Sequence, residues 1–375
     1  MSSDVQSFSD PGAPGDSPRV SSRRSARRVL RWVLPVAVVA AAGLTATGMI
    51  RANANPNLPG KTPLELLAAV GQAQHTGFSG TVVEKASLGL PELGAITGSD
   101  SSTGLDLLSG SHTVRVWYGG PTQQRVAVVD SLGESDVFRN GATVWEWNSA
   151  ERTAVRHTLP DDVTGRLPVT SMAPSQAAQQ LLSLISPTTD ISTDKNVQVA
   201  GRSAYELVLT PKETASRIGR VRIAVDGKTM VPLAFQVYAR DAGRPALDIS
   251  FTRFDDAQPT ADNFTWQPPA GVRVTQGGAV TTPKLPLLSG KTATSTVGTG
   301  WTTVLKVSGL PSRAAVAKQD PRLGLVYELL PAVKGSWGSG HLYQSALFCV
   351  LITDDGRVYA GAVDPSVLYA AAAQK

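Results

Sequence analysis

The sequence predicts an α+β protein built around an antiparallel β-sheet that has one apolar face. The prediction rests on the stretch from Ser203 to Asp255, which contains four consecutive segments of alternating apolar and polar side chains. Asp and Gly residues at 226–228 and 241–243 provide turns between these strands. Something must cover the shared apolar face. The apolar positions are Tyr205, Leu207, Leu209, Val221, Ile223, Val225, Leu233, Phe235, Val237, Leu247, Ile249 and Phe251.

Two amphipathic helices are the candidates to cover that face. One starts at Thr62-Pro63, a capping hydroxyl followed by proline, and is predicted to end near Gly77; the other spans 174–185. The apolar stripe of the first helix is predicted to contain Leu64, Leu67, Ala68 and Gly71. Further strands are predicted at 78–85, 112–118, 124–129, 135–139, 143–147 and 153–157.

The N-terminal region predicts export. Residues 1–28 are polar and form a predicted disordered cytoplasmic tail, and residues 29–51 form a predicted transmembrane anchor or uncleaved signal. The uncharged segment 32–50 comes close to the ~20 residues that a bilayer span requires. Five arginines between 23 and 31 place the tail in the cytoplasm and the remaining chain outside. A small-x-small sequence at Ala52-Asn53-Ala54 leaves cleavage open, which would give a secreted protein.

The charge distribution excludes a basic nucleic-acid-binding face. Of the formal net charge of +5, the first 51 residues contribute +4, from seven arginines and three aspartates. The other 28 basic and 27 acidic residues contribute only +1. The basicity therefore belongs to the tail, and no nucleic-acid partner is expected.

The exported part divides into two predicted units. A spacer at 52–61 precedes the main domain at 62–275, and a Pro-, Gly- and Thr-rich linker at 276–299 leads to a small α+β module at 300–375. In that module Leu342 to Ile352 is predicted to be one long apolar strand. It contains the chain's single cysteine, Cys349, which is expected to be a buried, inert thiol.

The segment 87–110 is an unusual loop because it combines glycine and serine with seven leucine or isoleucine residues. Two interpretations remain open. Either the loop is functional, as a lid or a lip that meets a membrane, or its leucines pack onto the core.

Several segments resemble the group of proteins that contains the LolA and LolB lipoprotein carriers, the LppX-like lipoproteins and the N-terminal domain of the MucB/RseB regulators. They are LGLPELG (88–94), GSHTVRVWYGGPTQQRV (110–126), LGESDVFRNGATVWEWNS (132–149) and the strands from Tyr205 to Phe254. The chain looks most like actinobacterial LolA-like, sporulation-associated members, over roughly residues 62 to 275.

The resemblance implies a strongly curved antiparallel sheet, an unclosed half-barrel wrapped around α-helices, with a hydrophobic cavity for lipid or lipoprotein acyl chains. Trp145 and Trp147 share one side of a strand, and both core packing and cavity lining remain open for them. The residues expected to line the cavity or its lid are Leu88, Leu90, Leu93, Val116, Tyr118, Trp145, Trp147, Leu207, Ile223, Phe235, Val237, Ile249 and Phe251.

No enzyme is predicted. The four histidines lack metal-ligand spacing, and they are expected to be structural or surface groups. The chain has no G-x-S-x-G sequence and no complete phosphate-binding loop. We therefore expect no catalytic residue, metal or cofactor.

The sequence thus predicts a membrane-tethered, extracytoplasmic protein that binds lipid or lipoprotein acyl chains. The alternative is a MucB/RseB-like envelope regulator that binds an exported protein partner such as an anti-sigma factor. A predicted tether favours local transfer or sensing over long-distance shuttling.

Overall fold

The computed structural model describes residues 58–73, 77–89, 109–130, 133–159, 182–183, 185–277, 292–319 and 329–374. The predicted tail and membrane anchor, Leu90, Leu93 and most of the second predicted helix lie outside these residues. Within the described part of the chain, no helix is both long and apolar enough to cross a membrane.

Among these residues, twelve strands form the first sheet, in the order β12-β6-β5-β4-β3-β2-β1-β11-β10-β9-β8-β7. All neighbours are antiparallel except the parallel pair β12 and β6. The strands are β1 (Phe78–Ser87), β2 (Ser109–Tyr118), β3 (Gln123–Asp130), β4 (Gly133–Asn140), β5 (Thr143–Asn148), β6 (Thr153–Thr158), β7 (Thr189–Val199), β8 (Arg202–Pro211), β9 (Ile218–Asp226), β10 (Pro232–Ala239), β11 (Leu247–Asp255) and β12 (Arg273–Gln276). The four strands predicted from 203 to 255 are confirmed as β8 to β11.

The sheet is bent and unclosed, as the predicted curved sheet requires. Although β8, β9 and β10 lie between β7 and β11 in the strand order, residues of β7 and β11 have Cα atoms within 8 Å of each other.

Hydrogen bonds to a buried carboxylate stabilise the turn after β9. There the buried Asp226 carboxylate accepts hydrogen bonds from Arg202 Nε and the Thr229 amide, both at 2.7 Å. Burial disfavours that charge, but these hydrogen bonds outweigh it and lower the pKa of Asp226.

Helix α1 (Pro63–Gln72) lies on one face of this sheet and begins where the sequence predicts. The Thr62 side chain accepts a hydrogen bond from the Glu65 amide, and the Glu65 carboxylate accepts one from the Thr62 amide at 2.7 Å. The predicted stripe is partly correct: Ala68 is buried as predicted and Leu64 and Leu67 are half-buried, but Gly71 is exposed and the fully buried position is Leu66.

In the described part of residues 292–374, the second sheet has six antiparallel strands, in the order β13-β14-β18-β17-β16-β15. Two helices, α2 and α3, accompany it, and Leu368 of α3 is buried in its core beside Cys349. Cys349 is a free, buried thiol, as predicted. The elements are β13 (Ala293–Val297), β14 (Val304–Ser308), α2 (Arg313–Gln319), β15 (Ala332–Gly335), β16 (Gly338–Gln344), β17 (Cys349–Thr353), β18 (Val358–Gly361) and α3 (Pro365–Ala373).

Two predictions for this region need correction. The strand β13 lies inside the range predicted to be a linker. The single strand predicted over 342–352 is wrong, because a tight turn at 345–348 divides it into β16 and β17. The Ser345 hydroxyl accepts hydrogen bonds from the Leu347 and Phe348 amides, at 3.2 and 2.9 Å, which stabilises the turn inside an apolar run.

Candidate functional site

Helix α1 packs on the β8–β11 part of the apolar face of the first sheet. Leu207, Ile223, Phe235 and Ile249 occupy one cross-strand row through β8, β9, β10 and β11. Leu66 of α1 packs into the same cluster. The prediction that these side chains share one face is therefore confirmed. We call this surface the α1 face.

The row ends at a polar residue. Ile249 pairs with Glu84 of β1, and Glu84 pairs in turn with His112 of β2. Burial raises the pKa of Glu84, and the charge of His112 partly opposes that shift. The α1 face is thus apolar across β8 to β11, and on the neighbouring strand β1 it carries the half-buried carboxyl group of Glu84.

The turn at 345–348 of the second sheet also sits on the α1 face. Leu347 is buried in the same cluster as Leu66, Leu88 and Leu207, and Phe348 packs beside it. The Ala346 amide donates a hydrogen bond to the Leu88 carbonyl oxygen at 2.9 Å. The loop base at Leu88, predicted to contribute to the site, therefore lies directly against the second sheet.

Polar contacts hold the two sheets together beside this turn. The indole N–H of Trp301 donates to the Thr189 hydroxyl at 2.7 Å. The Arg217 guanidinium lies 3.4 Å from the Asp364 carboxylate, close to the bridge that the backbone forms between residues 216 and 363. Trp301, Leu347 and Phe348 could not be assigned to the α1 face from alternation within strands, because they belong to a different sheet.

An open cleft of about 350 Å³ lies at the β7 edge of the α1 face. The Lys212 ammonium group is at this cleft and donates a hydrogen bond to the Ser186 carbonyl oxygen at 2.7 Å. Ile191 belongs both to the cleft lining and to the apolar cluster of the α1 face, so the two are continuous. The lining residues are Thr62, Pro63, Leu64, Leu182, Ser186, Thr189, Asp190, Ile191 and Lys212.

Val237 is buried in the same cluster as Leu207. The other predicted lining residues that the structure describes divide into two groups. Val116, Tyr118 and Phe251 lie on the α1 face, in a second cluster where the Tyr118 ring stacks on Phe78 at 5.2 Å. Trp145 and Trp147 lie on the opposite face. The register shows this, because Val116 pairs with Val126, Val126 with Val137, and Val137 with Glu146, and the neighbours of Glu146 point the other way.

The opposite face carries a row of aromatic and cationic side chains. Trp117, Arg125, Phe138, Trp145 and Arg156 are register partners across β2 to β6. The Arg125 guanidinium lies 4.6 Å from the ring centres of both Trp117 and Phe138. We call this surface the aromatic face.

Trp266 covers the aromatic face over β4 and β5. Its ring lies 5.4 Å from Phe138, 5.3 Å from Trp145 and 5.6 Å from Trp147. Trp266 lies in the segment that connects β11 to the distant edge strand β12 and so crosses this face. Trp145 and Trp147 therefore pack against protein, which is the core interpretation that the sequence left open.

Described histidines make structural contacts. The buried His157 lies 3.1 Å from Glu146, and the His341 ring lies between Arg313 and the Leu330 carbonyl oxygen. Across the described residues, no group of three His, Cys, Asp or Glu side chains is arranged to hold a metal ion.

No protein-family model and no curated protein matches the chain. Solved structures do match. The Pseudomonas aeruginosa MucA/MucB complex matches with 18% identity and a TM-score of 0.41, over 83% of this chain and 95% of that chain. A LolA superfamily protein from Nitrosomonas europaea matches with 12% identity and a TM-score of 0.23, over 55% and 99% of the two chains.

A putative outer membrane lipoprotein-sorting protein domain from Vibrio parahaemolyticus matches with 10% identity and a TM-score of 0.21, over 54% of this chain and 95% of that domain. These structures come from the group that the sequence resembles, and none of the three is described as an enzyme. At such identities the likeness concerns the fold alone.

Proposed function

We propose that this chain is a membrane-tethered, extracytoplasmic protein that binds the acyl chain of a lipid or lipoprotein at the α1 face. The observation that carries the proposal is the open cleft of about 350 Å³ that continues into the apolar cluster through Ile191. Its volume lies within the range of small-ligand sites, roughly 300–1,000 Å³. Each buried methylene contributes about 0.8 kcal/mol, so one chain gains enough to bind reversibly.

The polar groups of the cleft suit an acyl chain that carries a polar end. Leu64, Leu182 and Ile191 supply apolar surface, whereas Lys212 lies at the cleft with 44% of its side chain exposed. Because the Asp190 carboxylate lies 3.5 Å from that ammonium group, an uncharged ester group suits this end of the cleft better than a second carboxylate. Such a group would remain hydrated while the hydrocarbon is buried. The cleft therefore favours an amphipathic guest over a purely apolar one.

Access to the central α1 face depends on the second sheet. Leu66, Leu88 and Leu347 already fill that part of the face, so a longer chain has to displace the turn at 345–348. The hydrogen bond from the Ala346 amide to the Leu88 carbonyl oxygen and a few apolar contacts secure the turn itself, beside the polar contacts that hold the two sheets together. A bound ligand and the turn at 345–348 would then compete for the same part of the α1 face. Such competition suits local transfer or sensing.

Photolabelling of the full chain in its own membranes tests the proposal. A diazirine-labelled fatty acid should give adducts within 62–67 and 186–191, and L64Q should reduce them. The matched control is L305Q, which changes a leucine that is 41% exposed on the second sheet. Adducts confined to the predicted anchor at 29–51, or adducts equally reduced by both variants, would contradict the proposal.

A second candidate function is a regulator that binds an exported protein segment. The packing of the turn at 345–348 on the apolar face of the first sheet favours this candidate, because a protein partner could bind that face by displacing the turn. The MucB structure described above is a complex with MucA. In-membrane crosslinking at residue 347 should then capture one protein at high yield, and capture of lipids alone would count against this candidate.

A further inference from the structure

A second pocket, of about 260 Å³, lies on the other side of the sheet from the α1 face, where β1 lies between β2 and β11. Its floor contains the small residues Ser79 and Thr81 of β1. Register places Arg115 and Arg253 on either side of Thr81. It also places Trp117 and Asp255 on either side of Ser79. Two exposed guanidinium groups therefore flank one narrow groove.

A β-bulge fixes one wall of this groove. The pairing of β1 with β11 shifts between Thr81 and Val82, which leaves Thr252 as the extra residue beside Arg253. The Thr252 hydroxyl donates to the Thr81 carbonyl oxygen at 3.2 Å. Bulges redirect neighbouring side chains and recur at functional sites.

The two arginines differ from others on this side of the sheet. Arg125 lies 2.8 Å from Asp136, and Arg222 lies 2.7 Å from Glu206. Neither Arg115 nor Arg253 has an ion-pair or hydrogen-bond partner among the described residues. Two like charges on one cross-strand row repel each other, so an anion between them would stabilise the arrangement.

We propose that this groove binds the phosphate of a phosphodiester, a ligand separate from the acyl chain of the proposed function. A tetrahedral phosphate directs its oxygens to both sides of the groove, so each guanidinium can bind one of them. The hydroxyls of Ser79 and Thr81 supply two further donors from the floor. Asp255, one row away, disfavours a dianion and so favours a singly charged diester over a monoester.

Calorimetric titration of the full chain with glycerophosphoglycerol, a phosphodiester without acyl chains, tests this assignment. Binding should weaken with added salt, and R115Q and R253Q should each reduce it about tenfold or more. The control R273Q removes the same charge from an exposed position on β12 and should leave the affinity unchanged. Circular dichroism should show that all three variants fold.

Two further probes distinguish a lipid headgroup from free phosphate as the ligand. They also distinguish this groove from the acyl cleft of the proposed function. Binding of dihexanoyl phosphatidylglycerol that is lost in R115Q but kept in L64Q would support a lipid headgroup at this groove. Binding of inorganic phosphate with no binding of the diester would support a phosphate site and overturn the diester assignment. No binding of any probe, or equal loss in R273Q, would overturn the site, whatever the photolabelling of the acyl cleft shows.

Discussion

The two halves of the first sheet bury their side chains in different ways. In the β8–β11 half, a largely aliphatic row is covered by α1 and by a turn from another sheet, and an open cleft remains at its edge. In the β2–β6 half, on the opposite face, a row of aromatic and cationic side chains is covered over β4 and β5 by Trp266, which contacts three rings at once. The packed rings under Trp266 leave that part of the surface closed, whereas the side chains under separable elements leave space for a ligand.

The largest expected effect is the loss of the α1 contact. L66A removes a fully buried side chain from the centre of the α1 face, and we expect it to lower the free energy of unfolding by about 3 kcal/mol. Urea denaturation measures this. L305A, at an exposed position, should change stability by less than about 0.5 kcal/mol. Equal losses in both variants would mean that α1 does not anchor the face.

W266A should open the aromatic half without affecting the acyl site. We expect a loss of about 2 kcal/mol in unfolding free energy, since a half-buried ring with three aromatic partners is removed. W266F should recover part of that loss. Photolabelling at 62–67 should stay unchanged, and a parallel loss of labelling would show that the two halves are coupled.

L347S tests whether the turn and a ligand compete. Removing this apolar contact should cost about 1–2 kcal/mol in stability, because a leucine that is 8% exposed is lost. It should also let the diazirine probe reach Leu207 and Ile223, which the turn covers in the wild type. If labelling stays confined to the edge cleft, the turn does not limit access.

The same difference between the halves explains how far the sequence could predict the structure. Period-two alternation predicted β8 to β11 and correctly placed Leu207, Ile223, Phe235 and Ile249 on one face. Alternation defines two faces within a strand but does not say which of them continues the apolar face of a distant strand. Trp145 and Trp147 were therefore grouped with Val116, although the register places them on the opposite face.

The covering elements were harder to predict than the strands. The turn at 345–348 lies inside an apolar run, and its only local signal is Ser345, whose hydroxyl accepts from two following amides. Trp266 lies in a Pro-rich segment that carries no strand or helix pattern, so nothing local indicates that it crosses the sheet. Leu347 of this turn and Trp266 both make contacts with residues distant in sequence, which periodicity does not report.

Asp136 offers the smallest and most specific test of the closed half. Burial raises its pKa from 3.8 to about 6, the neighbouring Arg125 opposes that shift and Glu134 adds to it. Between these values the folded protein keeps a proton that the unfolded chain has lost, so stability falls as the pH rises through about 6.

The variant D136N has no proton to lose at this position, so the stability of the wild type relative to D136N should decrease on going from pH 4 to pH 7. We expect a change on the order of 1 kcal/mol, measured by urea denaturation at several pH values. A change of opposite sign would mean that the Arg125 pairing at 2.8 Å outweighs burial. In that case the aromatic half would be held by an ion pair as well as by Trp266, and the contrast between the two halves would become sharper.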